Sequence, residues 1–462
     1  MTQKHLEKFL LYFLLFLIVE SIVLISLINT ELFLYKFLIN YLFVAAVIPF
    51  MFEKIKAGRI DLFSPLAVFT FFYLLLFGFK AIDQVAFNRE AILADEIYHI
   101  KTLLYAIIGL HFFQIGYFSE IGKLIARKIK SFPDGWSNRR IKIVTFFYSS
   151  FSIISFLVMI FLSGGFSSYF LNIHQNMISV VSGSAIIFLA VLAIKIPFLI
   201  WLYQILKKRR FSLKFFIYFL LVCFLLISLG ERGHFVTLIF SIIVSYHYLK
   251  KRINFLKLAG LGLFMALFLV IFGMYRDFTT QDYKIKKAGL DLKLGVTSTY
   301  HIFMSNFDQL IRVKDVIKFV PEELDYQIGG TFLNLFLKPI PSRLWKEKPQ
   351  GAGIVISKEI YPKHYQAKVS VAPSLLGELY LNFHIIGIIV GMFFTGIVGR
   401  ALYSFLLKNI NNSNGFIVYL FLLSSIYSEL RGDFAVVTSF LVFNLVLLAI
   451  ALSFITITKK NC

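Results

Sequence analysis

The chain has 462 residues, is 58% hydrophobic and has a mean hydropathy of +0.79, which excludes a water-soluble globular domain. Its formal net charge of +22 would suit a nucleic-acid surface. The basic residues, however, collect in alternate connections between apolar runs, which is the signature of membrane topology, so no nucleic-acid partner is expected.

Twelve membrane-spanning helices are predicted, at 9–28, 33–52, 62–79, 99–118, 143–163, 184–206, 215–230, 235–249, 255–274, 383–407, 415–429 and 435–457. The first run is too long for a cleavable leader and lacks a small-residue cleavage site, so it is expected to remain as a span. Lys54, Lys56 and Arg59 share one connection, Lys123 to Lys142 the next basic one, then Lys207 to Lys214, then Lys250 to Lys257. With both termini cytoplasmic, all of them fall on the cytoplasmic side, as the positive-inside rule requires. Cys223 lies inside a span and Cys462 ends the chain, so no disulfide framework is expected. Glu20 and Lys195 lie in mid-span, Lys195 two residues before Pro197. Charges at that depth form an interhelical pair or line a proton or ion pathway.

The fold class expected is an all-α polytopic membrane protein with one long external loop. Residues 1–274 hold spans one to nine, 275–382 form the loop, and 383–462 hold the last three spans. The loop has fifteen Lys/Arg from Arg276 to Lys368 against eleven Asp/Glu from Asp277 to Glu378. Tyr300, Phe303, Met304, Phe307, Leu310, Ile311 and Ile317 recur at helical spacing, with Asp308, Arg312, Lys314, Asp315 and Lys318 on the other face. This pattern predicts an amphipathic helix on the outer membrane surface, packed on the spans, or in a small extramembrane core. Gly329-Gly330 and the prolines from Pro339 to Pro349 predict a turn-rich path beyond it.

Two external hairpins echo one another, Gly230-Glu231-Arg232-Gly233-His234-Phe235 and Glu429-Leu430-Arg431-Gly432-Asp433-Phe434. Arg232 and Arg431 sit at these tight turns, Arg276 where the ninth span ends, and Arg343 in the proline-bracketed segment. Guanidinium forks suit phosphate and stay charged where water is scarce, so these four are candidate ligands for a lipid-linked phosphate or pyrophosphate. Snorkelling to headgroups is the plainer reading of any one of them. Among the outer acids and bases Glu231, His234, His301, His364, Glu378, Glu429 and Asp433, the preferred catalytic candidates are Glu231, His234 and Asp433, because they adjoin the arginines. No phosphate-binding loop and no His-Glu-x-x-His or paired-cysteine spacing occurs, so neither a cofactor nor a metal is expected.

At Pro341-Ser342-Arg343-Leu344-Trp345, with Lys348-Pro349 behind it, the chain resembles the Wzy-type polymerases of bacterial O-antigen. Gly377-Glu378-Leu379-Tyr380-Leu381-Asn382-Phe383, leading into a span with Gly387, Gly391, Gly396 and Gly399, is similar to the same family. The chain departs from it in reading Pro-Ser-Arg before Trp345 and Lys346 after it. The resemblance implies a GT-C-like fold in the bacterial inner membrane, with its active site facing the periplasm. It also implies substrate contacts at Trp345, Glu378 and Tyr380 beside the arginines. The substrates implied are oligosaccharide repeat units on undecaprenyl pyrophosphate, handled among membrane lipids and with room for a chain-length regulator as partner. The carrier's phosphate ester is already activated, so no nucleotide is required. An O-antigen ligase, using the same donor, and a lipid-linked oligosaccharide flippase are the alternatives.

Overall fold

The apolar runs fold as helices. The computed structural model describes residues 31–58, 60–171, 173–208, 212–278, 300, 303–304, 306–338, 344–345, 347–367 and 369–457. In chain order the principal helices are α1 (Phe33–Ala57), α2 (Pro65–Phe87), α3 (Glu96–Phe118), α4 (Asn138–Leu162), α5 (Ile173–Leu192), α6 (Lys195–Lys208), α7 (Leu213–Ser228), α8 (Arg232–Leu249), α9 (Phe255–Phe278), α10 (Gln309–Phe319), α11 (Gly330–Leu337), α12 (Ala352–Glu359), α13 (Ser374–Asn409), α14 (Ser413–Arg431) and α15 (Phe434–Ile455). No strand occurs among the described residues beyond one isolated bridge, Trp136 to Thr456. The run predicted at 9–28 lies outside the described residues, and the other eleven lie on helices. Among the described residues seven helical segments are long and apolar enough to cross a membrane, and Leu213–Ser228, Gly233–Leu249 and Phe255–Phe268 are shorter apolar helices.

Local chemistry sets the helix ends. Ser64, Ser137 and Ser212 cap α2, α4 and α7 by accepting the amides of Ala67, Arg140 and Phe215, and Pro65 occupies the first turn of α2, where its missing N–H is harmless. α2 is α-helical to Tyr73, π-helical over Leu74–Phe79 and α-helical again from Lys80. Between α5 and α6 the helix is interrupted at Ala193–Ile194. Pro197 explains the break: it has no N–H for the carbonyl of Ala193, which accepts from Ile196 instead at 3.0 Å.

The chain divides into two compact units, one from Met1–Lys128, Met304–Ser404 and Ile426–Val437, the other from Ile129–Phe303, Phe405–Ser425 and Thr438–Cys462. In the first unit α3 and α13 meet almost backbone to backbone. A Cβ on Gly116 would lie 2.0 Å from the Phe393 carbonyl oxygen, and one on Gly396 would lie 2.0 Å from that of Phe113. Small residues at such a seam let two helices gain close packing where no hydrophobic force drives them together.

α13 is broken at Phe383 and His384, whose backbone angles are not helical. The chain folds back there, because a Cβ on Gly387 would stand 2.3 Å from the Leu379 carbonyl oxygen, a contact a straight helix cannot make. The amphipathic helix is α10, shorter than the predicted pattern. It packs on α3, burying Leu310, Val313, Val316 and Ile317. Lys314 and Lys318 bind Asp95, just ahead of α3, at 3.0 and 2.7 Å. Four buried aliphatic side chains at roughly 1.5–3 kcal/mol each outweigh part-exposed ion pairs at no more than about 1 kcal/mol each. Packing therefore holds α10, and the charges set its register.

Gly396→Ala should lower the thermal midpoint of the solubilised protein by the equivalent of about 1–3 kcal/mol, the range for overpacking a tight contact; an unchanged midpoint would mean that the seam is loose. A second expectation concerns pH. The Lys318 hydrogen bond, helped by Lys314 and opposed by burial, holds the Asp95 carboxyl below its usual range. Its contribution is complete above the ordinary carboxylate pKa and is lost as pH falls through the depressed value. Asp95→Asn should therefore cost up to about 1 kcal/mol at neutral pH, and the gap from wild type should close in acid.

Candidate functional site

The break in α13 gathers polar groups in the first unit. Glu378 is fully buried. One of its carboxylate oxygens accepts the Thr331 hydroxyl at 2.7 Å and the other accepts the Phe434 amide at 2.8 Å. Asn382 donates to Thr331 and to the Glu378 carbonyl, each at 2.8 Å, and accepts the Gly329 amide at 2.9 Å. The first turn of α11, the first half of α13 and the first turn of α15 are thus pinned to one carboxylate and one amide.

Asp433 lies beside this knot, in the turn between α14 and α15. One oxygen accepts the Val436 amide at 3.0 Å, which makes Asp433 the N-cap of α15, and the other accepts the Gly353 amide at 2.7 Å. Asp433 thereby fixes the start of α12. Lys338 is close enough to feel it: burial pushes the ammonium below the usual lysine range, Asp433 resists that shift and Lys348 adds to it.

Arg431 closes α14, with its guanidinium 5.9 Å from the centre of the Tyr427 ring. Arg312 of α10 comes up to it. Burial, and next the like charge of Arg431, push Arg312 below the usual arginine range, with Asp308 partly compensating. Its Nη1 donates to the Ala372 carbonyl at 3.2 Å. Asp308 is itself engaged by Lys80 at 2.9 Å, and Lys80 also binds Asp83 at 3.0 Å. Two half-buried guanidiniums therefore lie within electrostatic reach of one another, and Asp308, which partly offsets Arg312, is also engaged by Lys80. Guanidinium N–H donors of this kind suit an oxyanion.

The second unit holds the other turn. Gly230 takes a left-handed conformation, Glu231 precedes α8, and its carboxylate lies 3.1 Å from Nε2 of His234. Thr237 donates to the His234 carbonyl at 2.9 Å and accepts from Lys195 at 3.1 Å. The mid-span Lys195, set at the proline break, thus reaches the Glu231–His234 turn through one hydroxyl. The two Arg-Gly echoes differ in register, because Arg232 opens α8 whereas Arg431 closes α14.

Of the residues singled out from the sequence, Glu378, Tyr380, Arg431 and Asp433 are placed in the first unit, where Glu378 and Asp433 bracket Phe434. Trp345 belongs to the same unit and is exposed. Glu231 and His234 are paired in the second unit. Arg343 lies outside the described residues, as do the side chains of Arg232 and Arg276. Arg312 was visible in the sequence only as part of the charged face of a helix, since its electrostatic reach to Arg431 is a long-range relation with no local signal.

The described residues thus define an all-helical, multi-pass membrane protein with a buried, carboxylate-centred knot and an arginine pair. The family model described as "O-antigen polysaccharide polymerase Wzy" matches residues 8–461, essentially the whole chain, and the chain belongs to that family. Membership brings polymerisation of O-antigen repeat units by a glycosyltransferase-like enzyme. No curated protein and no solved structure matches it.

Asp433→Ala should destabilise the protein by about 1–2 kcal/mol through loss of the cap and free the start of α12. Asp433→Asn keeps one acceptor and should retain most of the stability. Equal melting of the two variants would count against the capping role.

Proposed function

We propose that this protein joins repeat units carried on undecaprenyl pyrophosphate, at the periplasmic face of the inner membrane, within the twelve-span, GT-C-like topology expected from the sequence. A hydroxyl of the acceptor unit attacks the anomeric carbon of the donor chain. The bond from that carbon to the pyrophosphate oxygen breaks, and the carrier leaves with the bonding pair. The growing charge on the leaving oxygens needs fixed positive donors in a site poor in water. The observation that supports this mechanism best is the approach of Arg312 to Arg431. Arg232, Arg276 and Arg343 are proposed as further phosphate ligands, on the strength of guanidinium chemistry and their places in the sequence.

The acceptor hydroxyl must lose its proton as the new bond forms. Glu231 and His234 are proposed for that step, since the carboxylate and the imidazole face one another at 3.1 Å. Asp433, with both oxygens taken by amides, suits positioning better than proton transfer. Glu378 has the same character: its oxygens are engaged, and its part is to hold Thr331 and Phe434 in place.

The test uses full-length variants in cells lacking their own polymerase, with membrane levels checked. Arg312→Ala and Arg431→Ala should each cut polymer synthesis on the order of a hundredfold, as loss of one charge-stabilising donor does elsewhere. Arg→Lys should restore part of it, because an ammonium lacks the two-pronged geometry. Normal polymer ladders from both alanine variants would sink the clamp. Purified protein given only lipid-linked repeat units should lengthen them; an absolute need for lipid A-core would favour the ligase instead.

A further inference from the structure

The break in α13 carries a feature that the phosphate chemistry does not use. His384 has φ 56° and ψ −151°, a combination that glycine adopts and a histidine holds only under strain. Glycine would serve the backbone there at less strain. The side chain is exposed, and among the described residues its nitrogens have no hydrogen-bond partner. What surrounds it is aromatic. Tyr380 lies 5.1 Å from it between ring centres, Tyr326 5.9 Å and Tyr105 6.4 Å. Tyr105 stacks on Tyr380 at 5.5 Å, and Tyr326 meets Tyr380 at 6.2 Å.

The rings come from separate elements: α3 supplies Tyr105, the stretch before α11 supplies Tyr326, and α13 supplies Tyr380. Tyr380 is buried at 4% exposure, while Tyr105 and Tyr326 are half-buried and His384 is open. The cluster therefore has a packed floor and an accessible rim. Its four side chains are three phenols and one imidazole. Ring faces attract weakly positive C–H groups, and tyrosine and histidine edges offer hydrogen bonds. That combination matches a pyranose, which has a C–H face and a rim of hydroxyls.

We propose that Tyr105, Tyr326, Tyr380 and His384 form a sugar-stacking subsite for the repeat-unit glycan, with strained His384 presenting its ring to the saccharide. The inference rests on the polymerase reading and extends it by separating the glycan contacts from the pyrophosphate contacts. The subsite adjoins the knot already described: Asn382 lies two residues before His384, and Glu378 two residues before Tyr380.

The experiment compares two probes on the purified full-length protein: the oligosaccharide repeat unit released from its carrier by mild acid, and undecaprenyl pyrophosphate without sugar. His384→Gly should weaken oligosaccharide binding about tenfold and leave the sugar-free carrier unaffected. Its thermal midpoint should hold or rise, because the backbone strain is relieved. Tyr326→Phe, which keeps the ring and loses the hydroxyl, should weaken the oligosaccharide by about threefold, the loss of a single modest hydrogen bond. Unchanged oligosaccharide affinity in His384→Gly with a fall in midpoint would make the cluster a packing feature and overturn the proposal. Equal weakening of both probes would mark it as a carrier site and also overturn it. Wild type that binds the carrier but no released oligosaccharide would reject the subsite and leave the polymerase reading standing. Wild type that binds neither and lengthens no chain would remove both.

Discussion

A helix that turns back on itself leaves carbonyls and amides without partners, and the first unit is organised around settling that debt at Phe383–His384. Leu381 offers its carbonyl to the amide of Gln327 at 3.0 Å, and the Glu378 carbonyl is taken by the Asn382 side chain. The segment entering α11 is drawn in to supply the first of these donors, which brings Thr331 to the Glu378 carboxylate. That carboxylate then receives the first amide of α15. One backbone interruption thus fixes three helix ends, consistent with the rule that irregular backbone persists in a membrane protein only where protein groups satisfy it.

Much of the architecture was legible in the sequence. Apolar runs gave the helices because hydropathy over twenty residues is a local property. The run from Gly377 to Phe383 and the four glycines after it carried the family resemblance, and both proved to be structural: the first holds the knot, and Gly396 lies in the seam with α3. The N-cap role of Asp433 could have been read from an acidic residue standing just ahead of Phe434 and an apolar run. What escaped was long-range. The face of α10 that reads as solvent-exposed in a helical wheel carries Arg312 to Arg431 and Lys314 and Lys318 to Asp95. No spacing rule links positions so far apart. Nor could the sequence tell that the two Arg-Gly turns differ in register, since that depends on where each helix begins.

Among the described residues, the charges around α10 are of two kinds. Lys80 pairs with Asp83 and Asp308, Lys314 and Lys318 pair with Asp95, and Lys314 also meets Asp315; these sets tie α10 to the helices beneath it. Arg312 and Arg431 do not neutralise each other; they add. Placing like charges together in a partly buried setting is unfavourable unless something anionic visits, and O-antigen polymerases act on repeat units attached to lipid. The same surplus would weaken with ionic strength only slowly, because buried charges are poorly screened.

The seam between α3 and α13 has a mechanical consequence. With Gly116 and Gly396 set against opposing carbonyls, neither helix can slide or rotate without losing contact along its length, so the two must move as one plank. A growing polysaccharide has to be repeatedly taken up, extended and shifted. Whatever travel this demands is carried elsewhere in the molecule, since this pair can move only as a whole.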